Sequence, residues 1–242
     1  MRSINLGING FGRIGRTLYR LLQGEPGIRV TMVNDLADAG TLAHLLKYDS
    51  IHGVFSGELL SGDDFIQTEK GRTSITHSET PAGIPWAEGE VDLVVEATGR
   101  FRNLASLGQH LGAGAPKVLL SAPPEDDTIP MIVYGINHES LKATDRIFSN
   151  ASCTTNNAAP MIRILDELCG IEQAYITTVH SYTSDQSLHD RPHRDLRRAR
   201  AAAQSIVPTT TGAAKALTRI FPDLATVIGG CGIRVPVPNC SL

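Results

Sequence analysis

The pattern of hydrophobic and polar positions changes once along the chain, near residue 150. Before that point, short apolar runs predict strands at 4–8, 29–33, 91–97, 117–121 and 131–134. Leucines that recur on one face predict helices between these strands, at 16–23, 41–48 and 104–111. Strands and helices that alternate at these lengths favour an α/β fold with a mostly parallel sheet covered on both faces.

After residue 150 the elements follow a different order. Apolar periodicity predicts helices at 158–168 and 211–220, and strands at 174–179 and 228–235. A segment at 184–204 is polar and rich in Arg, His and Asp, and it is interpreted as a long surface loop. This change favours two domains, at 1–151 and 152–242.

Composition narrows the classes of function. Apolar residues make up 41% of the 242 residues, enough for a sizeable core, and the formal net charge is −3. That balance gives no reason to expect nucleic acid or a membrane surface as a partner. The N-terminus lacks the apolar core of a signal peptide, and no run approaches the ~18 apolar residues of a membrane span. We therefore expect a cytoplasmic protein.

The chain has four cysteines, at Cys153, Cys169, Cys231 and Cys240. They form no CxxC pair, so neither a zinc site nor a redox dithiol is expected, and we expect no metal. A disulfide framework is not expected either in a chain of this size without a secretion signal. The default interpretation of each cysteine is a small buried hydrophobe, and only Cys153 has a local sequence that points further.

A glycine-rich motif follows the first predicted strand and opens a helix. Its residues are Gly10, Phe11, Gly12, Arg13, Ile14 and Gly15. Glycines permit a tight turn and close approach to a pyrophosphate, which the helix N-terminus attracts. Asp35 lies 20 residues beyond Gly15, where a carboxylate can accept both ribose hydroxyls of NAD and repel the 2′-phosphate of NADP. This order predicts a Rossmann-type doubly wound sheet that binds NAD; the alternative is a glycine-rich turn with a surface Asp.

A second polar segment, at 149–156, places small residues around Cys153 where a helix begins. Backbone N–H groups and the helix dipole favour a thiolate at such a position. The alternative is a buried cysteine that caps a helix. His180 ends an apolar strand and could serve as the base of a nucleophilic cysteine, or be a structural histidine. The sequence alone does not show that the two side chains meet.

The residues around Cys153 closely resemble the glyceraldehyde-3-phosphate dehydrogenase family. The same likeness extends over essentially the whole chain, in the family's order, through the segments 8–16, 149–156, 178–183, 195–200, 208–215 and 233–236. The resemblance implies an NAD-dependent enzyme in which Cys153 is the nucleophile and His180 the base. A hemithioacetal and then a thioester would form on Cys153, and inorganic phosphate would release 1,3-bisphosphoglycerate.

The resemblance also assigns binding residues. Arg13, Ile14, Asp35 and Ser121 match positions that contact NAD in the family. Thr183 and Arg234 are expected to hold the phosphate of glyceraldehyde 3-phosphate. The expected sites for the attacking phosphate and the substrate are lined by Ser152, Thr154, Arg198, Thr211 and Gly212. Arginines and hydroxyls suit this role because they donate hydrogen bonds to phosphate oxygens.

Some features depart from the family pattern. Asn157 stands where many members have a second cysteine, and Glu79 stands where many have a basic residue near the adenine. Because family members continue well beyond Val235-Pro236, we expect an incomplete α+β catalytic domain with a mixed sheet, in a fragment of a longer product. By the same resemblance, the full-length form is expected to be a homotetramer. Two alternatives stay open, an erythrose-4-phosphate dehydrogenase and an inactive NAD-binding fragment.

Overall fold

The computed structural model describes residues 3–242, which form two compact units. The first unit contains the described residues through Ile132 together with Glu139–Ala151, and the second contains Val133–His138 and Ser152–Leu242. The NAD-binding role of residues 1–151 and the catalytic role of residues 152–242 stay predictions.

Within residues 3–242, the first unit is built on one large sheet, a small hairpin and three helices. Its helices are α1 (Arg13–Leu22), α2 (Ala39–Lys47) and α3 (Leu104–Gly112). The strands before α3 are β1 (Ile4–Asn9), β2 (Ile28–Asn34), β3 (Tyr48–Asp49), β4 (Gly53–Val54), β5 (Leu60–Ser61), β6 (Phe65–Thr68), β7 (Gly71–Thr76) and β8 (Leu93–Glu96). Two more strands follow it, β9 (Val118–Leu120) and β10 (Ile147–Ser149).

The large sheet confirms the predicted doubly wound α/β fold. Its strand order is β10-β9-β8-β1-β2-β7-β6-β5, and the six strands from β10 to β7 run parallel. The chain leaves β1 toward β2 on one side and returns to β8 on the other, so the winding reverses at β1. Ligands of open α/β sheets bind at the carboxyl ends of the strands beside such a reversal.

The core of the first unit explains why β1 and β2 carry nearly continuous apolar runs. Ile8, Val33 and Leu46 are completely buried between the sheet and the helices. A strand that is covered on both faces cannot alternate apolar and polar residues, because each face is packed. Phe11 and Tyr19 extend this core with an edge-to-face ring contact at 5.5 Å.

Several sequence expectations differ from the structure, among them the buried cysteines, since Cys153, Cys169 and Cys240 are exposed and Cys231 is half-buried. The predicted strand at 131–134 is wrong, because Met131 forms an isolated bridge with Ser149 and the chain then turns. Val133 N donates to Asn137 Oδ1 in that turn, and Gly135 follows with φ +81°. The strands β5, β6 and β7 were not predicted, because Thr, Ser and Gln occupy many of their positions and give a weak apolar alternation.

The second unit contains, in chain order, α4 (Cys153–Cys169), β11 (Ala174–Ser181), β12 (Val207–Thr209), α5 (Ala213–Ile220) and β13 (Ile228–Val235). In its described residues, β13 lies between a parallel neighbour, β11, and an antiparallel one, β12. This confirms the expected mixed sheet. The predicted loop lies in the segment 182–206, which is neither helix nor strand but buries Gln186 and Ala202.

Candidate active site

A cleft of about 250 Å³ opens in the first unit at the carboxyl ends of β1, β2 and β8. We call it the carboxyl-end cleft. Its lining residues are Asn9, Gly10, Gly12, Asn34, Asp35, Leu36, Ser78, Glu79, Ala97, Thr98, Arg100 and Phe101. Since the winding of the sheet reverses at β1, this is the position at which a doubly wound sheet binds its ligand.

The three glycines of the turn between β1 and α1 have different surroundings. Gly10 has φ +93°, and a Cβ there would lie 2.8 Å from the Thr98 backbone N. A Cβ on Gly15 would lie 2.2 Å from the Gly10 carbonyl oxygen, so this glycine permits close packing of α1 on the turn. A Cβ on Gly12 would meet nothing within 4 Å. The space above Gly12, at the start of α1, is therefore open to a phosphate group.

Asp35 follows β2 directly and faces this turn. Its Oδ2 accepts a hydrogen bond of 2.7 Å from Phe11 N, and its Oδ1 accepts one of 3.2 Å from Ala37 N. The carboxylate is thus fixed at the edge of the cleft, where a ribose would lie if its phosphates bound at α1. The open glycine turn, the helix start and the fixed carboxylate together fit a dinucleotide.

Other predicted cofactor residues contribute differently. Phe11 is buried against Tyr19, so its backbone rather than its ring belongs to the turn. Arg13 and Ile14 form the first turn of α1, where the Ile14 side chain is exposed. Ser121 follows β9, and its hydroxyl donates to the Glu96 carbonyl at 2.9 Å.

In the second unit, Cys153 is the first residue of α4. Ser152 caps this helix, because its Oγ accepts a 3.0 Å hydrogen bond from Thr155 N. The periodicity predicted the helix only from residue 158, and the polar residues before that point form its first turn. The helix start therefore places the Cys153 sulfur at the positive end of the helix dipole.

Cys153 and His180 meet in space although 27 residues separate them. The Cys153 Sγ lies 3.2 Å from His180 Nε2. The hydrogen bond to His180 lowers the pKa of the Cys153 thiol; partial burial of the sulfur opposes this, and contacts with Thr154 reinforce it. Because Cys153 is exposed, an activated sulfur is accessible to a substrate.

The opposite ring nitrogen of His180 is held by the backbone. His180 Nδ1 lies 2.7 Å from the Ser181 carbonyl oxygen, which can only accept a proton. We assign the Nδ1 proton to this bond, which leaves Nε2 able to take the thiol proton. Arg234 Nη1 also lies against Nδ1 and donates to the same Ser181 carbonyl at 3.0 Å; with the proton assigned to Nδ1, the contact with Ser181 O is the hydrogen bond that Arg234 Nη1 makes.

The strand register explains the position of Arg234. His180 on β11 pairs with Arg234 on β13, which puts the two side chains next to each other on one face of the sheet. Burial lowers the pKa of Arg234, nearby Arg198 acts in the same direction, and Asp185 and Cys153 oppose them. The guanidinium stays charged and is partly withdrawn from water, which favours an anionic ligand.

Arg198 is anchored from three sides. Its Nη1 donates to Asp185 Oδ2 at 2.7 Å, its Nε to Thr209 Oγ1 at 2.8 Å, and its Nη2 to Thr210 O at 3.3 Å. Partial burial raises the pKa of Asp185, but hydrogen bonds from Arg198 and His193 outweigh it, so that pKa lies below its ordinary value. Asp185 therefore remains ionised and holds the half-buried Arg198 in place.

The remaining predicted phosphate residues lie at element boundaries. Thr154 follows Cys153 in the first turn of α4, and Thr183 is half-buried two residues beyond β11. Gly212 caps α5, and the preceding Thr211 accepts a hydrogen bond from Ala213 N through its hydroxyl.

Sequence reasoning missed Asp185 as the partner of Arg198, since an acid in a polar segment has no distinctive pattern. It also missed Asn9, Asn34 and Thr98 in the cleft, although polar residues at strand ends are a usable signal.

The described residues contain neither a cluster that could hold a metal ion nor a helix that could span a membrane. Among residues 3–242, no cluster of three or more His, Cys, Asp or Glu side chains is arranged to hold a metal ion. No helix in the same range combines the length and apolar character needed to cross a membrane.

Comparison with known proteins gives two family matches. Residues 4–104 match the model described as glyceraldehyde 3-phosphate dehydrogenase, NAD binding domain. Residues 152–242 match the model of the C-terminal domain of the same family.

Individual relatives match nearly all of the chain. It is 49% identical to glyceraldehyde-3-phosphate dehydrogenase of Geobacillus stearothermophilus over 243 residues, which cover 99% of the chain and 72% of that relative. The identity is 45% to glyceraldehyde-3-phosphate dehydrogenase 1 of Bacillus cereus, over 98% of the chain and 71% of the relative. The chain is 48% identical to glyceraldehyde-3-phosphate dehydrogenase of Mycobacterium tuberculosis strain H37Rv, and the match covers 99% of the chain and 73% of that relative.

Proposed function

The chain belongs to the glyceraldehyde-3-phosphate dehydrogenase family, and from this premise we propose that it converts D-glyceraldehyde 3-phosphate to 1,3-bisphosphoglycerate in glycolysis and gluconeogenesis. The protein is an NAD-dependent oxidoreductase by family membership. The observation that carries the specific reaction is the 3.2 Å contact between Cys153 Sγ and His180 Nε2 at the start of α4.

The proposed first step is addition of the Cys153 sulfur to the aldehyde. His180 Nε2 accepts the thiol proton, and the sulfur forms a C–S bond while the carbonyl π electrons move to oxygen. The N-terminus of α4 and the protonated His180 lie where they stabilise the developing negative charge. The proton then passes from His180 to this oxygen and gives a hemithioacetal on Cys153.

Oxidation of the hemithioacetal follows at the same carbon. His180 Nε2 removes the hydroxyl proton, and departure of the carbon's hydrogen with its electron pair leaves a thioester on Cys153. When bound, NAD accepts that hydride. The Ser181 carbonyl keeps the Nδ1 proton in place, so Nε2 is the nitrogen that moves protons throughout.

Inorganic phosphate completes the proposed cycle. An oxygen of phosphate attacks the thioester carbon, a C–O bond forms, and the C–S bond breaks to return the Cys153 thiolate. The half-buried guanidinium groups of Arg198 and Arg234 support this step, because Arg234 lies near Cys153, Arg198 lies near Arg234, and both attract anions. We assign Arg234 and Thr183 to the substrate phosphate, and Ser152, Thr154, Arg198, Thr211 and Gly212 to the attacking phosphate and the substrate.

We further propose that the full-length form is a homotetramer in the cytoplasm. The segment 182–206 exposes three large apolar side chains, Leu188, Leu196 and Ile206. If these side chains form one contiguous apolar surface, that surface would favour contact with another subunit. Light scattering of the purified protein tests the stoichiometry: a mass of four chains is expected, and a monomer at working concentration would contradict it.

Turnover tests the proposed reaction. Purified protein is supplied with glyceraldehyde 3-phosphate and NAD, with and without inorganic phosphate, and NADH is followed by absorbance. We expect sustained turnover only with phosphate, and a loss of at least about a thousandfold in Cys153→Ser, because the hydroxyl is a far weaker nucleophile at neutral pH. Cys169→Ser is the matched control, since Cys169 is also an exposed cysteine of α4, at its other end.

The same assay decides between sugar phosphates. Erythrose 4-phosphate is supplied in place of the three-carbon aldehyde, at equal concentration. The proposal expects a clearly lower kcat/KM for the longer sugar. A higher value would assign the protein to erythrose 4-phosphate instead.

A further inference from the structure

A completely buried carboxylate lies directly beneath the carboxyl-end cleft, although it does not line the cleft. Glu96 is the last residue of β8, and none of its surface is exposed to solvent. An isolated buried carboxylate is costly, and it persists only when hydrogen bonds or charges compensate it. The partners of Glu96 therefore show what it holds in place.

Four donors within the described residues converge on Glu96. Its Oε2 accepts from Asn9 Nδ2 at 2.6 Å and from His110 Nε2 at 3.1 Å. Its Oε1 accepts from Thr98 N at 2.8 Å and from the Thr98 hydroxyl. Because every contact comes from a donor, both carboxyl oxygens act as acceptors, and each has two hydrogen bonds.

The His110 side of this arrangement is fixed by the only tryptophan in the sequence. Trp86 Nε1 can only donate, and it lies 3.0 Å from His110 Nδ1. The indole therefore assigns the imidazole proton to Nε2, which points at Glu96. Trp86 and His110 are both fully buried, so water does not compete for these bonds.

Through Asn9, the hydrogen bonds of Glu96 continue to residues that line the cleft. Asn9 Oδ1 accepts from Asn34 Nδ2 at 2.8 Å, and the same Asn34 amide donates to Ser78 O at 2.9 Å. Asn9, Asn34, Ser78 and Thr98 all line the cleft. Glu96 is thus the point where the ends of β1, β2 and β8 are tied together.

We propose that Glu96 is a positioning residue for the cofactor, which it serves without touching it. The Glu96 network, made of Trp86, His110, Glu96, Asn9, Asn34 and Thr98, fixes the three strand ends so that the cleft accepts NAD without rearrangement. Thr98 also lies against Gly10, so its position sets the width of the glycine turn. The inference rests on the proposed role of the carboxyl-end cleft as the NAD site.

The first test is Glu96→Gln, with calorimetric measurement of NAD binding. An amide nitrogen in place of either oxygen faces two donors, so one strand end is released and the Kd for NAD is expected to rise at least about tenfold. Glu88→Gln is the matched control, because it removes an exposed carboxylate from the same unit. Hydrogen exchange is expected to accelerate at the Thr98 amide, or at the end of β1 beside Asn9, in Glu96→Gln and not in Glu88→Gln.

A pair of substitutions at His110 separates positioning from general stability. His110→Gln keeps an N–H donor for Glu96, whereas His110→Leu removes it. His110 does not line the cleft, so neither substitution alters the lining directly. We expect the Kd of the Gln variant to stay within about threefold of wild type and that of the Leu variant to rise at least about tenfold. Folding of Glu96→Gln is judged by the blue-shifted fluorescence of the buried Trp86. If that variant does not fold, the two His110 variants alone test the positioning role.

The outcomes separate this inference from the proposed function. The positioning role would be overturned if a folded Glu96→Gln variant kept the wild-type Kd for NAD. It would also be overturned if His110→Gln bound NAD as weakly as His110→Leu. In both cases NAD binding by the wild-type protein would stand. A wild-type protein that does not bind NAD would instead overturn the proposed function of the cleft. Alkylation of Cys153 without NAD is expected to be equal in all variants, since the Glu96 network lies in the first unit.

Discussion

At the scale of single residues, the reactivity of Cys153 depends on its contact with His180. That hydrogen bond lowers the pKa of the thiol, so the thiolate persists at a lower pH than in an ordinary cysteine. The rate of alkylation by iodoacetamide is expected to rise at correspondingly lower pH. In His180→Ala the rise is expected to move to higher pH, because the hydrogen bond that lowers the pKa is lost.

Peptide mass spectrometry measures this rate at each cysteine separately. His189→Ala is a suitable control, since it removes an exposed histidine from the same unit. An unchanged pH profile of Cys153 in His180→Ala would show that His180 does not activate the sulfur.

Asp35 governs the choice of cofactor at the same scale. Its carboxylate faces the glycine turn, where its charge repels the 2′-phosphate of NADP. Asp35→Asn keeps the size of the side chain and removes the charge. The ratio of the Kd for NADP to the Kd for NAD is expected to fall at least about tenfold. Asp63→Asn, at an exposed position of the same unit, is expected to leave the ratio unchanged, and an equal fall in both variants would refute the role of Asp35.

At the scale of elements, the turn from β1 to α1 separates glycines needed for folding from one needed for binding. Gly15→Ala places a Cβ 2.2 Å from a backbone oxygen, which is expected to lower the free energy of unfolding by more than about 2 kcal/mol. Gly12→Ala places its Cβ in open space, so stability is expected to change by less than about 1 kcal/mol. Its Kd for NAD is nevertheless expected to rise at least about tenfold, because the methyl group occupies the phosphate position.

Chemical denaturation and calorimetry measure the two properties of this pair. Gly108→Ala serves as a control within α3, where a Cβ would also meet nothing within 4 Å. Equal NAD affinity of Gly12→Ala and wild type would show that the cofactor does not approach the turn.

Most elements could be predicted from periodicity, because their apolar positions are packed. The strand at 228–235 was predicted to the residue, and the helix of residues 104–112 to within one. The start of α4 at Cys153 was predicted from its small and polar residues, whereas periodicity indicated the helix only from residue 158, because the first turn is fixed by the Ser152 cap rather than by packing. The strand predicted at 131–134 failed because apolar residues there fill a turn, which apolar content alone cannot distinguish from a strand.

At the scale of the whole molecule, the chemistry is divided between two units. The first carries the cleft that fits a dinucleotide, and the second carries Cys153, His180 and the arginines. Sequence reasoning found the participants of both units but not their pairing, since contacts such as His180 with Arg234 depend on strand register. The Glu96 network could not be predicted from the sequence for the same reason, because His110 and Trp86 are ordinary core positions until the fold brings them together.

Oxidation on Cys153 leaves an acyl-enzyme, which can be trapped when inorganic phosphate is withheld. The protein is mixed with glyceraldehyde 3-phosphate and NAD without inorganic phosphate, and peptides are analysed by mass spectrometry after acid quench. We expect a burst of up to one NADH per chain, with a phosphoglyceroyl group bound to Cys153 that inorganic phosphate then removes. NADH formation without an adduct on Cys153, or with the adduct on another residue, would contradict it.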